Sequence, residues 1–310
     1  MMSGRGYHAA VIQPDYVGAA LRAWPYQAES ITPLDGGANS TTWLVTTGQG
    51  RFVAKLVDDL DTPGLIKSLQ IAEFLATCGL HSGPPVRTRD GEPTISLPEG
   101  TLALLRHEPG TTPDISEPDQ VRRAGRLLAR AHNALRDFPT GSDPHYRWPW
   151  EWVPRLLDTI AMPDYVNAAA RRIWPDVVRT VTDHQLSISI VHGDPGLGGF
   201  LLADDNRDAI VDWATTMRGP LLYDLACVVV MTKRAGHPHV ARWFTEGYVE
   251  VMPEIRPELA YLDILAKARW LANAVWFASR IERGIERGSD SPTMNQDGLA
   301  EAYAGMTAGA

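Results

Sequence analysis

The sequence predicts an α+β protein with two lobes, on three observations. Between residues 30 and 106, short segments show the two-residue alternation of β-strands, and a single amphipathic helix interrupts them. Beyond residue 118, the apolar residues mostly recur with the helical period of about 3.6. A block of short strands and polar turns over residues 186–212 stands inside that helical part. We therefore expect an N-terminal lobe with a small antiparallel sheet over residues 1–107 and a mainly helical C-terminal lobe over residues 108–310.

The composition is that of a folded protein with neither a nucleic-acid nor a membrane partner. Of the 310 residues, 44% are hydrophobic and 21% are charged, which is ordinary for a globular chain. The formal net charge of −8 argues against a basic surface for nucleic acid and is compatible with a cationic small substrate. Since no apolar run is long enough to span a membrane, and none follows a basic start as in a secretory signal, we expect a cytoplasmic protein.

The turn between the first two strands has two interpretations. After a short helix over residues 15–24, strands around Ile31 and over residues 41–45 flank a glycine-containing turn at residues 35–40. Such a turn, ending at Ser40, can fold over phosphate groups and offer them backbone N–H donors. The same residue types also suit an ordinary hairpin turn, so the turn alone does not decide between the two.

Lys55 lies in the next predicted strand, over residues 51–57. Strand alternation places it between two valines on one face of the sheet. A lysine among apolar neighbours lies either at an edge or beside a negative partner. Glu73, on the amphipathic helix predicted over residues 62–77, can reach back to Lys55, although a solvated helix glutamate is the alternative.

Two further strands, over residues 94–97 and 102–106, close the predicted sheet. The chain then changes direction at Glu108-Pro109-Gly110, because proline and glycine end a strand. Leu105 and His107 therefore lie where the two predicted lobes join. A plain connecting loop has the same pattern.

Helical periodicity dominates the remainder of the chain. It predicts helices over residues 118–135, 152–160, 164–182, 223–233, 240–251 and 261–283. In the first of these, His132 is more typical of a packed or capped histidine than of a ligand. Aromatic residues cluster over residues 138–152, either as a loop anchor or as a stacking platform for a substrate. We expect the tail after Gly288 to be loose, and Cys78 and Cys227 to be buried thiols rather than a disulfide.

Two carboxylates mark the block of strands and turns over residues 186–212. Asp194 follows the first strand in the turn His192-Gly193-Asp194, and Asp212 ends the third strand, after a hairpin. A hairpin can bring such strand ends to one place. A phosphoryl-transfer site needs one carboxylate to orient and deprotonate a hydroxyl and another to hold Mg²⁺ against phosphates. Capping a turn is the simpler role for each aspartate.

The same stretch resembles the catalytic core of the aminoglycoside phosphotransferase and choline kinase-like family, a branch of the protein-kinase-like fold. The family's pattern is H-G-D-x-x-x-x-N, followed by I-D-[FW] and then by G-[DP]-x-x-Y-D-L-A. This chain has His192-Gly193-Asp194, Val211-Asp212-Trp213 and, over residues 219–226, GPLLYDLA. The order of elements is similar over roughly residues 25–285.

The resemblance implies a bilobal kinase-like fold that binds ATP between its lobes and phosphorylates a hydroxyl of a small molecule, such as an aminoglycoside-like antibiotic or a metabolite. It implies that Asp194 orients or deprotonates the acceptor hydroxyl and that Asp212 binds Mg²⁺. Lys55, held by Glu73, would bind phosphate oxygens, and Asp224 would fix the catalytic loop from beneath.

Further nucleotide contacts rest on the resemblance alone. The turn that ends at Ser40 would cover the phosphates of ATP. The backbone of the connection at Leu105 and His107 would meet the edge of the adenine. His192 would brace the catalytic loop rather than react.

One position departs from the family pattern. Gly199 stands five residues after Asp194, where the family has an asparagine that ligates a metal ion and donates to the catalytic aspartate. Glycine offers neither group. Three hypotheses therefore remain open: a small-molecule kinase, a kinase of Ser or Thr in a biosynthetic peptide, and a catalytically weakened nucleotide-binding protein that acts by interaction.

Overall fold

A computed structural model describes residues 14–34, 39–140, 153–205, 207–286 and 291–308. Over those residues, no helix is both long and apolar enough to cross a lipid bilayer. The N-terminal part of the chain contains five strands: β1 Ala28–Leu34, β2 Ser40–Thr47, β3 Gly50–Val57, β4 Thr94–Leu97 and β5 Gly100–Arg106. They form one antiparallel sheet, as predicted, and its strand order is β1-β2-β3-β5-β4.

Helices make up most of the rest. They are α1 Pro14–Ala20, α2 Thr62–Thr77, α3 Pro118–Leu135, α4 Val153–Thr159, α5 Asp164–Asp183, α6 Leu222–Arg234, α7 Pro238–Val251, α8 Leu262–Arg283 and α9 Met294–Thr307. The bounds predicted for α2 and α3 are confirmed, because both helices begin at proline-containing first turns and carry clear apolar stripes. The division into lobes at residue 107 stays a prediction.

The two faces of the sheet bury different groups. Alternation along β3 places one set of side chains in a cluster with α1 and the residues after it: Trp24, Trp43, Phe52, Ala54 and Leu56. The opposite face, which carries Lys55, packs through Val57 against Leu65 and Leu69 of α2. Lys55 is therefore a charged group beside a largely apolar contact between the sheet and α2, in which Thr62 and Thr101 also share a hydrogen bond of 2.9 Å.

Two short antiparallel pairs hold the segment between α5 and α6. β6 Ile188–Val191 pairs with β9 Met217–Pro220, and β7 Phe200–Leu201 pairs with β8 Ala209–Ile210. The predicted hairpin is present, but its first strand ends before residue 203. β9, which the sequence pattern did not indicate, closes the block beside the start of α6.

The connection from the sheet to the helices is fixed on both sides. The buried carboxylate of Glu108 accepts from the backbone N–H of Gly83 at 3.0 Å and lies 3.3 Å from the imidazole of His81. Thr111 and Leu202 exchange backbone hydrogen bonds of 3.0 and 2.8 Å. Gly110 has φ of 136°, and a Cβ there would lie 2.8 Å from the carbonyl oxygen of Leu202, so this close approach requires glycine.

The expectation of a loose tail is wrong. Over α9 the small residues Gly298, Ala302 and Gly305 recur at helical spacing, and the rings of Phe277 and Trp270 on α8 pack directly on the two glycines. A run of small residues lacks the apolar stripe on which helix prediction depends, yet it lets a helix approach large rings closely. α9 is therefore part of the core.

Two other expectations have mixed outcomes. Cys227 is buried as predicted, but Cys78 is exposed, because it follows the last turn of α2 where the chain leaves the core. Neither forms a disulfide. The proposed aromatic platform falls mostly on residues 141–152, which lie outside the described residues.

Candidate active site

The turn that carries Asp194 is held from beneath by a buried carboxylate. Asp224, 0% exposed in the first turn of α6, accepts hydrogen bonds from the backbone N–H of His192 at 2.7 Å and of Gly193 at 2.8 Å. Gly193 has φ of 82°, and a Cβ there would lie 2.3 Å from the carbonyl oxygen of Thr215. The loop can therefore adopt this conformation only with glycine at its centre.

Asp224 belongs to a network that joins three helices. Nε2 of His132 lies 2.9 Å from the Asp224 carboxylate, and Nδ1 of His132 lies 2.8 Å from the Tyr248 hydroxyl. All three side chains are buried. Burial and the Asp224 charge raise the pKa of Tyr248 well above its ordinary value, so its hydroxyl stays protonated beside His132. His132 is thus a packed histidine, as expected, and it supports the catalytic loop through Asp224.

A close helix contact positions this network. A Cβ at Gly125 of α3 would lie 2.0 Å from the carbonyl oxygen of Phe244, and one at Gly247 of α7 would lie 2.0 Å from that of Arg122. The two backbones therefore touch, and this contact sets the separation of the helices that carry His132 and Tyr248. We call Asp224, His132 and Tyr248 the support network.

Asp194 itself faces the solvent side of the loop, with its side chain 42% exposed. One carboxylate oxygen accepts from Nη2 of Arg269 on α8 at 2.7 Å. Its backbone oxygen accepts from the N–H of Gly196 at 2.8 Å. Sequence reasoning missed Arg269, although a charged residue between Leu265 and Trp270 on the inner face of an amphipathic helix was an available signal.

Asp212 lies on the neighbouring loop and connects the sheet to the helical part. Its carboxylate is 2.7 Å from Nζ of Lys55, whose side chain is 12% exposed, whereas that of Asp212 is 63% exposed. Partial burial raises the pKa of the Asp212 carboxyl, but the charge and hydrogen bond of Lys55 outweigh this, so the pKa lies below its ordinary value. With φ of 68°, Asp212 also holds a left-handed conformation that non-glycine residues rarely adopt.

The loops of Asp194 and Asp212 contact each other directly. Nε2 of His192 is 3.0 Å from the carbonyl oxygen of Val211, and the hydroxyl of Thr215 donates to the carbonyl of His192 at 2.9 Å. The rings of His192 and Trp213 lie 4.6 Å apart. The hairpin therefore brings together the two segments that carry the predicted carboxylates, and His192 braces them.

The predicted pair between Lys55 and Glu73 does not form. Within the described residues, Glu73 makes its ion pair with Arg87, and both side chains are about half exposed at 47% and 46%. Glu73 lies one turn beyond Leu69 along α2, and its carboxylate meets the guanidinium of Arg87 there. The ammonium of Lys55 instead contacts the carboxylate of Asp212, which belongs to the block of short strands between α5 and α6.

α2 nevertheless contacts the site through a residue that was not predicted. Nζ of Lys67 donates to the carbonyl oxygen of Thr216 at 2.8 Å, just after the Asp212 loop. A Cβ at Gly64 would lie 3.1 Å from the carbonyl oxygen of Ala214, so the start of α2 lies against the same turn. The position of Asp212 is thereby tied to α2 as well as to Lys55.

Ser40 and Leu105, which were expected to contact the nucleotide, lie on the sheet, and His107 follows its strand β5 directly. Ser40 is buried at the start of β2, while residues 35–38 of its turn lie outside the described residues. Leu105 of β5 packs against the cluster beneath Lys55. The backbone N–H of His107 donates to the carbonyl oxygen of Arg51 at 3.3 Å. Burial, together with the charge of Arg51, lowers the pKa of the His107 imidazole. Their nucleotide contacts stay predictions.

The donor set suits a hard divalent cation. Asp212 offers an ionised, largely exposed carboxylate, and Mg²⁺ characteristically takes one or two carboxylates together with phosphate oxygens and water. Gly199 adds no side-chain oxygen; its backbone oxygen is taken by the N–H of Val211 at 2.8 Å. In the part of the chain that the structure describes, no three His, Cys, Asp or Glu side chains cluster as a metal site, so the phosphates would have to complete the coordination.

Sequence comparison finds relatives over most of the chain. The model of the phosphotransferase enzyme family, APH, matches residues 30–258. A homoserine kinase of Neisseria meningitidis serogroup B is 26% identical over 245 residues, which cover 77% of this chain and 79% of that relative. A homoserine kinase of Methylobacterium radiotolerans is 27% identical over 75% of this chain and 74% of that relative.

Solved structures with the same fold come from kinases of small molecules. Amicoumacin kinase hAmiN, in complex with AMP-PNP, Ca²⁺ and Ami, has a TM-score of 0.73 at 15% identity, over 95% of this chain and 93% of that one. A microcompartment-associated aminopropanol kinase has a TM-score of 0.71 at 18% identity, over 95% of each chain. These likenesses confirm the predicted bilobal, protein-kinase-like fold.

Proposed function

Because this chain belongs to the APH phosphotransferase enzyme family, we propose that it is an ATP- and Mg²⁺-dependent kinase that phosphorylates a hydroxyl of a small amino alcohol. One observation carries the proposal: the ion pair of Lys55 and Asp212 joins the sheet to the helical part directly beside the loop of Asp194. A cation, a metal-binding carboxylate and a second carboxylate are thus available where phosphates and an acceptor would meet.

Lys55 and Asp212 would hold the phosphate end of ATP. The ammonium of Lys55 is nearly buried, so it would interact strongly with a phosphate oxygen. Asp212 keeps a largely exposed carboxylate, and its lowered pKa keeps that group charged at neutral pH, as a metal ligand must be. Bound there, Mg²⁺ would neutralise charge on the phosphates.

Asp194 would act on the acceptor. Its carboxylate would accept the proton of the acceptor hydroxyl as that oxygen forms its bond to the γ-phosphorus and the bond to the bridging oxygen of ADP breaks. The phosphorylated acceptor and ADP leave, and the proton passes from Asp194 to solvent. The support network would keep the loop in place during this step.

The acceptor class follows from the relatives and from charge. Homoserine and aminopropanol, from which two of these kinases take their names, each carry an amino group and a hydroxyl. The net charge of −8 is compatible with an acceptor that carries an ammonium group. We therefore infer a hydroxyl on a small amine-bearing molecule.

The test measures ADP release with ATP, Mg²⁺ and a panel of L-homoserine, aminopropanol, ethanolamine and spectinomycin. We expect at least one acceptor to stimulate ADP release and a chelator to abolish it. Asp194→Asn should lower kcat by about 10³-fold, as for the loss of a general base. Asp158→Asn, which alters an exposed pair with Arg171, should leave kcat unchanged.

Two results would contradict the proposal. One is ADP release that no acceptor of the panel stimulates. The other is equal acceptor-dependent turnover in the wild type and in Asp194→Asn, which would place the chemistry elsewhere.

A further inference from the structure

Arg269 forms an ion pair with Asp194, and none of the steps proposed above uses it. Its Nη2 donates to the Asp194 carboxylate at 2.7 Å, and its Nη1 lies 3.4 Å from the carbonyl oxygen of Gly193. It therefore contacts both the side chain of the aspartate and the backbone immediately before it. These contacts come from α8, far away in sequence.

The loop offers Asp194 no side-chain donor of its own. The five residues that follow are Pro195, Gly196, Leu197, Gly198 and Gly199, and none carries a polar side chain. The backbone N–H of Gly196 is directed at the Asp194 carbonyl oxygen instead of its carboxylate. A donor that orients the carboxylate must therefore come from another element, and Arg269 is in that position.

Arg269 is held firmly and at a cost. Its side chain is 15% exposed, and Nε is buried with no hydrogen-bond partner in the described part of the chain. A buried N–H group without a partner is unfavourable, because it has lost its hydrogen bonds to water. Burial alone would lower the pKa of the Arg269 guanidinium, but the groups that face it, among them the Asp194 carboxylate and the hydrogen-bonded Tyr223, raise that pKa above its ordinary value, so the guanidinium stays charged. Buried donors that lack a partner, like Nε here, are typical of functional sites.

We propose that Arg269 is the positioning residue for Asp194: it holds the carboxylate in the direction from which it meets the acceptor hydroxyl. This inference rests on the proposed function. A planar guanidinium suits the task because its N–H groups have fixed directions and its charge shortens the hydrogen bond. The support network holds the loop backbone from beneath, whereas Arg269 holds the carboxylate of Asp194 and the carbonyl of Gly193 from α8.

The main test replaces Arg269 and separates its effect on turnover from its effect on binding. Arg269→Gln should lower kcat by about 10- to 100-fold, because small misplacements of a catalytic group have effects of this size. The KM for ATP should stay near the wild-type value, since Lys55 and Asp212 are untouched. Arg269→Lys, which keeps the charge and one donor, should recover part of the loss. Thermal unfolding of each variant verifies that it is folded.

A double variant and a control variant make the test specific. In Asp194→Asn, adding Arg269→Gln should cause no further loss, because residues that act as a unit are not additive. Arg234→Gln removes a comparable ion pair with Glu301 at 2.8 Å on another surface and should leave kcat unchanged.

Hydrogen exchange of the backbone amides of residues 192–199 gives a readout that does not need turnover. We expect faster exchange in Arg269→Gln than in wild type and Arg234→Gln. Wild-type protein that turns over no acceptor would refute the proposed function, while this exchange measurement still tests Arg269. Unchanged kcat and unchanged exchange in Arg269→Gln, or an additional loss in the Asp194→Asn background, would overturn the role of Arg269 alone.

Discussion

The two sides of the catalytic loop of Asp194 differ in how they hold their carboxylates. We call the support network beneath the loop the lower layer, and the ion pairs Lys55–Asp212 and Arg269–Asp194 the upper layer. Below it, the side chains of Asp224 and His132 are 0% exposed, and the carboxylate receives two backbone N–H groups and an imidazole. Above it, two ion pairs of 2.7 Å leave their carboxylates open to solvent, at 63% for Asp212 and 42% for Asp194.

The difference indicates a division of labour. A buried carboxylate with three donors has no capacity for a ligand, and exchanging its partners would be costly. An exposed carboxylate held through one oxygen can take a ligand without unfolding anything. Substitutions in the lower layer should therefore affect stability first, and substitutions in the upper layer should affect turnover or binding first.

Asp224→Asn would break the lower layer and has the largest expected effect on stability. In the wild type, the Asp224 carboxylate accepts from the backbone N–H groups of His192 and Gly193. In the variant, the NH₂ of the carboxamide cannot accept a hydrogen bond, so at least one of these buried donors loses its partner. We expect a loss of about 3 kcal/mol in the free energy of unfolding, measured by denaturant titration. Asp119→Asn on α3, 96% exposed, should change it by less than about 0.5 kcal/mol. Equal effects of the two substitutions would show that the network contributes no special stability.

Gly247→Ala would test the helix contact that sets the lower layer. The added methyl group would lie 2.0 Å from the carbonyl oxygen of Arg122, so α7 would have to move away from α3. We expect a loss of about 2 kcal/mol, in line with other overpacked cores. Gly198→Ala, where a Cβ meets no atom within 4 Å, is the matched control and should be neutral. An unchanged free energy of unfolding in Gly247→Ala would mean that α3 and α7 can move apart without loss of stability.

Glu73→Gln should have the smallest effect, and it tests which acidic residue pairs with Lys55. Because Glu73 pairs with Arg87 at the surface, we expect affinity for a non-hydrolysable ATP analogue with Mg²⁺ to stay within about twofold of wild type. Lys55→Gln should weaken binding by more than about tenfold, because it removes a charged donor. Calorimetry measures both. Similar losses in the two variants would restore the Lys55–Glu73 pair that the sequence predicted.

Local features of the active site were accessible to sequence reasoning. The strand that carries Lys55, the bounds of α2 and α3, and the turn of Asp194 each depend on residues within about a dozen positions. Periodicity and turn chemistry act over this range, so they could be read from the order of residues. α9 escaped prediction because its small residues have meaning only beside the rings of α8.

The order of residues specifies which chemical groups are present and which segment carries each: a lysine on a strand, two aspartates in neighbouring turns and a glycine at residue 199. Which charges meet depends on how distant segments pack. Lys55 faces Asp212 rather than Glu73, and Asp194 faces Arg269 from α8. The physical reason is that a charged side chain selects its partner by distance in space, and that distance depends on how segments far apart in the chain pack together.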